Sequence, residues 1–158
     1  MKTIYIERLM HDPEAAAWTW TPEREQFDLE SDFRVDEENL EFEMCRMAQI
    51  LVRYGGVAAE LEANLKRKEE YAKLVQARYG GALRSQYEAG GIKVTEGRLN
   101  DEVTQSPEYQ GALAALHLLR SEAVEANHWY RSAMKKADML NALAFRQNAE
   151  LKRAYGNS

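Results

Sequence analysis

Cysteine occurs once in these 158 residues, and proline and histidine three times each. The lone Cys45 leaves no disulfide framework and no cysteine-based zinc site within one chain, which makes a reducing cytoplasm the expected compartment. Scarce proline together with 30% charged residues favours a helical domain over a β-sandwich. No apolar run approaches the roughly 18 residues of a membrane span. The N-terminal Met-Lys-Thr-Ile-Tyr-Ile-Glu-Arg reaches charge before a signal-peptide core forms, so no membrane partner is expected. A phosphate-binding P-loop and a strained serine elbow are both absent. Cys45 lies among apolar residues and reads as a buried side chain, not a nucleophile. No catalytic residue, cofactor or metal is expected, and the chain is not read as an enzyme.

What the sequence does have is a seam. Tyr109, Ala112, Leu116, Leu119, Ala123, Ala126, Tyr130, Ala133, Ala137, Leu140, Ala144, Gln147, Leu151 and Ala154 recur at alternating spacings of three and four. All but Gln147 are apolar, the signature of one long helix laid against other helices. Ser106-Pro107 supplies its N-cap and first residue, giving about 45 residues or roughly 70 Å at 1.5 Å per residue. The seam is rich in alanine, which buries little area per residue, so neighbouring chains are expected to supply stability. The fold class expected is all-α: a long helical hairpin with a C-terminal heptad helix, assembling as a homo-oligomeric bundle or ring.

Charge divides the chain. Residues 1 to 45 hold thirteen acidic and four basic side chains, a net of −9, whereas residues 46 to 158 carry a net of +4. Residues 1–36 lack helical periodicity and read as an acidic arm, extended or disordered, with a short strand near Thr3 to Arg8. Such an arm covers the chain's own positive surface, meets a partner protein or merely solubilises. Trp18 and Trp20 sit too deep in negative charge to stack on nucleic acid. Residues 37–158 form the helical domain. Its first helix spans Asp36 to Tyr54, with Gly55-Gly56 kinking or interrupting it, and a second spans Val57 to about Glu88. Gly90-Gly91 marks a turn, and Thr95 caps a short helix through Val103.

On the second helix Lys66, Lys73 and Arg84 fall within about 20° of one another if the helix continues through Gly80-Gly81, with Arg67 and Arg78 in a neighbouring row. This ridge lies opposite the packing face of Leu61, Leu65, Ala72 and Val75. Cations of this kind, with Tyr71, Tyr79 and Tyr87 as platforms, match what a single strand needs: charge for phosphates and planar groups for bases. A solvated helix face is the plain alternative. The enzyme-class rival is a ferritin-like metal site on Glu125-x-x-His128, with Glu60, Glu62 or Glu69 contributing. The seam puts Glu125 and His128 at outward positions, whereas a buried metal needs inward ligands. His117 and His128 lie roughly 16 Å apart along one helix and do not share an ion.

Four short motifs occur in a recognisable order: Leu83-Arg84-x-x-Tyr87-x-x-Gly90 ending the basic helix, Thr95-Glu96 in the connection, Tyr109-Gln110-Gly111 opening the long helix, and Lys135-Lys136-Ala137-Asp138-Met139 within it. Together they resemble the recombination mediator proteins of tailed phages, the UvsY-like family, over about residues 38 to 155. The acidic arm has no counterpart there. The resemblance implies a non-enzymatic, all-helical homo-oligomer that binds single-stranded DNA, helps displace single-strand-binding protein and promotes loading of a RecA-like recombinase, in the cytoplasm of an infected host. It implies DNA contact at Arg84 and Tyr87, to which the residue pattern adds Lys66, Arg67, Lys73, Arg78 and Lys93. Assembly falls on Tyr130, Ala133, Ala137, Leu140, Leu143, Ala144 and Leu151. A structural or adaptor phage protein built on the same helices is the competing class.

Overall fold

The computed structural model describes residues 1–12 and 17–155, with the side chains of His11, Asp12 and Trp18 outside that description. Strand β1 (Lys2–Asp12) pairs antiparallel with β2 (Ala17–Phe27). The short helix α1 (Leu29–Phe33) and a 3₁₀ turn (Glu37–Asn39) lead into α2 (Leu40–Ala89), then α3 (Glu96–Gln105) and α4 (Pro107–Tyr155). The chain forms two compact units, Met1–Glu60 with Val124–Ser158 and Leu61–Ala123, and both long helices contribute to each.

The helical class holds, and several local expectations change. Gly55-Gly56 does not interrupt α2, which is one helix of 50 residues. Gly55 marks a close approach instead: a Cβ there would stand 3.1 Å from the Tyr130 ring of α4, so its hydrogen lets the two helices meet. The end of α2 is a Schellman motif, with Gly91 at φ 66°, its amide donating to Glu88 O (3.0 Å) and the Ile92 amide to Tyr87 O (2.9 Å). Thr95 Oγ1 accepts from the Arg98 amide at 3.4 Å and Ser106 Oγ from Tyr109 at 3.3 Å, so both later helices begin at the capping residues their sequence offers.

Of the two alternatives for the N-terminal segment, extended or disordered, its described residues take the extended one, as a strand pair longer than the Thr3 to Arg8 strand expected. Alternation in β1 puts Ile4 and Ile6 on the inward face with Phe27 of β2, and all three are fully buried. They close over an aromatic cluster in the first unit: Phe27 lies 5.0 Å from Tyr54 and 5.3 Å from Trp129, ring centre to ring centre. The rest of the inward face is ionic. Arg8 is bound by Glu23, Glu25 (2.7 Å) and Glu60 (2.8 Å), and Lys2 by Glu125 (3.0 Å). Hydrogen bonds donated by Arg8 to Glu60, Glu25 and Glu23, Glu60 foremost, hold its guanidinium charged well above the ordinary range. Glu23 and Glu25 of the arm thus serve its own unit.

A buried lysine ties this layer to α4. Lys136, only 4% exposed, reaches Glu43 Oε2 at 2.5 Å and donates to the carbonyls of Asp32 (3.0 Å) and Arg34 (2.6 Å). Tyr54 donates to Asp32 Oδ2 at 2.8 Å, and burial, reinforced by that carboxylate, keeps its hydroxyl protonated far above the usual range. The second unit has a plainer core: Leu61, Ala72 and Val75 of α2, Leu99 and Val103 of α3, and Leu116 and Ala123 of α4. Cys45, expected inside, is exposed.

Candidate nucleic-acid interface

The basic ridge depends on α2 continuing through Gly80-Gly81, and it does. Lys66, Lys73 and Arg84 therefore share one side of the helix, with Arg67 and Arg78 in the next row. The sequence leaves this whole side open to water; the structure covers part of it, with Lys66, Lys73 and Arg84 still exposed. Over its C-terminal half lies α3, anchored by the buried Leu99 and Val103, with Val103 Cγ2 3.5 Å from where a Gly80 side chain would begin. Val103 thus packs at ordinary van der Waals distance over Gly80, and α3 seats directly on this part of α2.

Between α2 and α3 are two neighbouring hollows. One, about 360 Å³, is lined by Lys73, Gly80, Gly81 and Arg84; the other, about 640 Å³, by Arg84, Lys93 and the Gly91 turn. Arg84 and Glu96 line both. Three expected contact residues, Lys73, Arg84 and Lys93, thus line two neighbouring hollows that share Arg84 and together form a groove beside α3. Among the described residues no carboxylate pairs with Lys73, Lys93 or the exposed Arg78. Lys66 is exposed beside Glu62 at 3.5 Å, and Arg67 donates to the buried Asn64 side chain at 3.1 Å, so Arg67 is partly held for structure.

The two residues singled out by family likeness are both engaged by α3. Arg84 Nη2 lies 2.6 Å from Glu96 Oε1. The Tyr87 hydroxyl donates to the Glu102 carboxylate at 2.6 Å, while the Arg98 guanidinium covers the Tyr87 ring at 5.6 Å and bonds Glu102 through Nε at 3.1 Å. These donors, Tyr87 first, depress the Glu102 pKa, and the same carboxylate raises that of Tyr87 and of Arg98. One face of Tyr87 is thus already stacked, whereas Tyr71 is exposed. The roles of Glu96 and Glu102 went unread in the sequence, where Arg98 counts only as one more cation for phosphates; the signal was the Arg98/Glu102 spacing of four on a capped helix.

The assembly residues divide. Ala133 and Leu140 are buried to 1% exposure or less, so they fill the first unit's own core and are corrected from contact residues to core residues. Tyr130, Ala137, Leu143 and Ala144 are half-buried, and Leu151 is 53% exposed. Ala137 and Asn141 line a shallow apolar hollow of about 180 Å³ with Met44, Ala48 and Leu51 of α2. Beyond Ala144 the seam residues Gln147, Leu151 and Ala154 are exposed, and Phe145 and Tyr155 stand out at 77% each.

Glu125 is ion-paired with Lys2, and His128 is exposed. Among the described residues no three His, Cys, Asp or Glu side chains are grouped to hold a metal, and no helix is long and apolar enough to cross a membrane.

No family model matches the chain, and no curated protein matches it. The fold is similar to that of the bacteriophage T4 recombination mediator protein UvsY, seen in its crystal structure, with a TM-score of 0.60 over 78% of this chain and 93% of that one, at 9% sequence identity. At that identity the likeness is one of fold: this chain has the helical architecture of a phage recombination mediator, with its own residues on it.

Proposed function

We propose that this protein is a non-enzymatic recombination mediator, a homo-oligomer that binds single-stranded DNA and promotes loading of a RecA-like recombinase over single-strand-binding protein. The observation that carries the reading is the groove of Lys73, Arg84 and Lys93 on a UvsY-like fold. Three cations with glycine walls give a phosphate backbone close access without base readout. A single groove of this kind binds weakly. Repeated around an oligomer it gains through effective concentration, so modest sites on a chain of net charge −5 suffice. The apolar residues of α4 past Ala144, with the hollow around Met44 and Ala48, are the surface that supports self-association.

The test is fluorescence anisotropy of labelled oligo-dT across a salt series, for the protein and for Lys73→Ala with Arg84→Ala. Binding is expected to fall steeply with salt. The double variant should bind more weakly, with a salt slope shallower by about 0.7 per lost phosphate contact and an unchanged oligomer mass. Absence of binding at low salt overturns the mediator reading in favour of a structural or adaptor protein on the same helices.

A further inference from the structure

The groove is cationic, yet its central arginine is not free. Glu96 sits at the first turn of α3 and presents its carboxylate to Arg84 at 2.6 Å. Six residues on, Glu102 takes the Tyr87 hydroxyl and also bonds Arg98, whose guanidinium covers the Tyr87 ring. A carboxylate on an arginine resembles a phosphate oxygen in charge and hydrogen-bonding capacity. An arginine stacked on a tyrosine takes the place of a base. Thus α3 offers, from within the chain, substitutes for both parts of a nucleotide at the same two residues.

Resting on the mediator reading, we propose that Glu96 and Glu102 of α3 form an autoinhibitory latch that competes with single-stranded DNA for Arg84 and Tyr87. The helix itself need not leave. Leu99 and Val103 stay buried against α2, while solvent reaches both carboxylates, the Glu96 side chain being 73% exposed and the Glu102 side chain 33%. Opening therefore requires only that side chains exchange partners. The contacts suit a latch energetically, since an exposed pair favours the closed arrangement by only about two- to fivefold. A polyanion presenting several phosphates displaces such a contact, whereas a lone anion competes poorly. The latch thus discriminates against short or singly charged ligands and favours a continuous strand. Lys73 and Lys93, at the two ends of the groove and free of carboxylate partners among the described residues, take the first phosphates.

The test compares oligo-dT binding by the full-length protein, Glu96→Gln, Glu96→Gln with Glu102→Gln, and Asp101→Asn. The last removes the same charge from the same helix at an exposed residue outside the latch. Glu96→Gln is expected to tighten binding about two- to fivefold at low salt and the double variant further, with Asp101→Asn close to wild type. The advantage shrinks as salt rises, because screening weakens the internal pair. Wild-type binding with no tightening in the glutamine variants, or equal tightening by Asp101→Asn, overturns the latch and leaves the groove assignment standing. No binding by any of the four proteins overturns both.

Discussion

Replacing Lys136 with methionine keeps the aliphatic stem and deletes one ammonium group, the sole change needed to test how the N-terminal layer is fastened. In the native chain that group makes three contacts, to Glu43 at 2.5 Å and to the carbonyls of Asp32 and Arg34 at 3.0 and 2.6 Å. The lysine and glutamate side chains are 4% and 6% exposed, so water cannot replace what is lost. Removing one partner of a buried pair strands the other, at about 3–5 kcal/mol. Arg46 stands 3.9 Å from the other Glu43 oxygen and relieves part of that, which sets the expectation at the low end, about 3 kcal/mol. In a chain of this size each kcal/mol moves the melting temperature by about 2–4 °C, a fall of about 6–12 °C. Urea and thermal unfolding by circular dichroism measure it, within a cycle of Lys136→Met, Glu43→Leu and both. The double variant should recover much of the single losses, since removing both charges leaves none stranded. A Lys136→Met protein within about 0.5 kcal/mol of wild type would refute the anchoring role, and weakened oligo-dT binding with unchanged stability would place Lys136 on the DNA surface instead.

Two seam leucines should part company. Leu140→Asp buries a charge in the first unit's core and should unfold it, whereas Leu151→Asp lies on an exposed turn and should lower the oligomer mass in light scattering while leaving the circular dichroism spectrum intact. A folded Leu140→Asp protein would contradict the core assignment, and an unchanged mass for Leu151→Asp would contradict assembly through the end of α4. The Tyr87–Glu102 contact carries a pH signature. Glu102 is depressed below its ordinary 4.5, so its contribution is complete above that pH and disappears as pH falls through the folded value; Tyr87 is raised above 10, so its contribution is complete below 10 and disappears as pH rises past it. Tyr87→Phe should move the Glu102 carboxyl midpoint upward in an NMR titration, and an unmoved midpoint would exclude the hydrogen bond.

Local rules were enough for the later part of the chain. Pro107 behind Ser106, Thr95 before a short apolar pair and Gly91 after α2 each specify a helix end through their own backbone chemistry, so those boundaries were legible. The hairpin was not. β1 alternates visibly, but its partner places Glu23 and Glu25 on the inward face, where apolar residues would have announced a strand. Those carboxylates are satisfied by Arg8 and Arg53, the latter from α2, and no periodicity within β2 encodes such a pairing. Gly55-Gly56 misled for a related reason: the pair looks like a break until Tyr130 is seen against it.

The sequence by itself determined the helical class, the length and start of α4, the seam and the alignment of Lys66, Lys73 and Arg84, because each follows from the 3.6-residue repeat or from a cap within a few positions. Tertiary structure alone decided which seam residues serve the chain's own core, that Lys136 is a buried tie, and that α3 sets two carboxylates on the groove. Those outcomes depend on which distant side chain fills a given space or answers a given charge. Residues 43 and 136, or 84 and 96, meet only after the chain has folded.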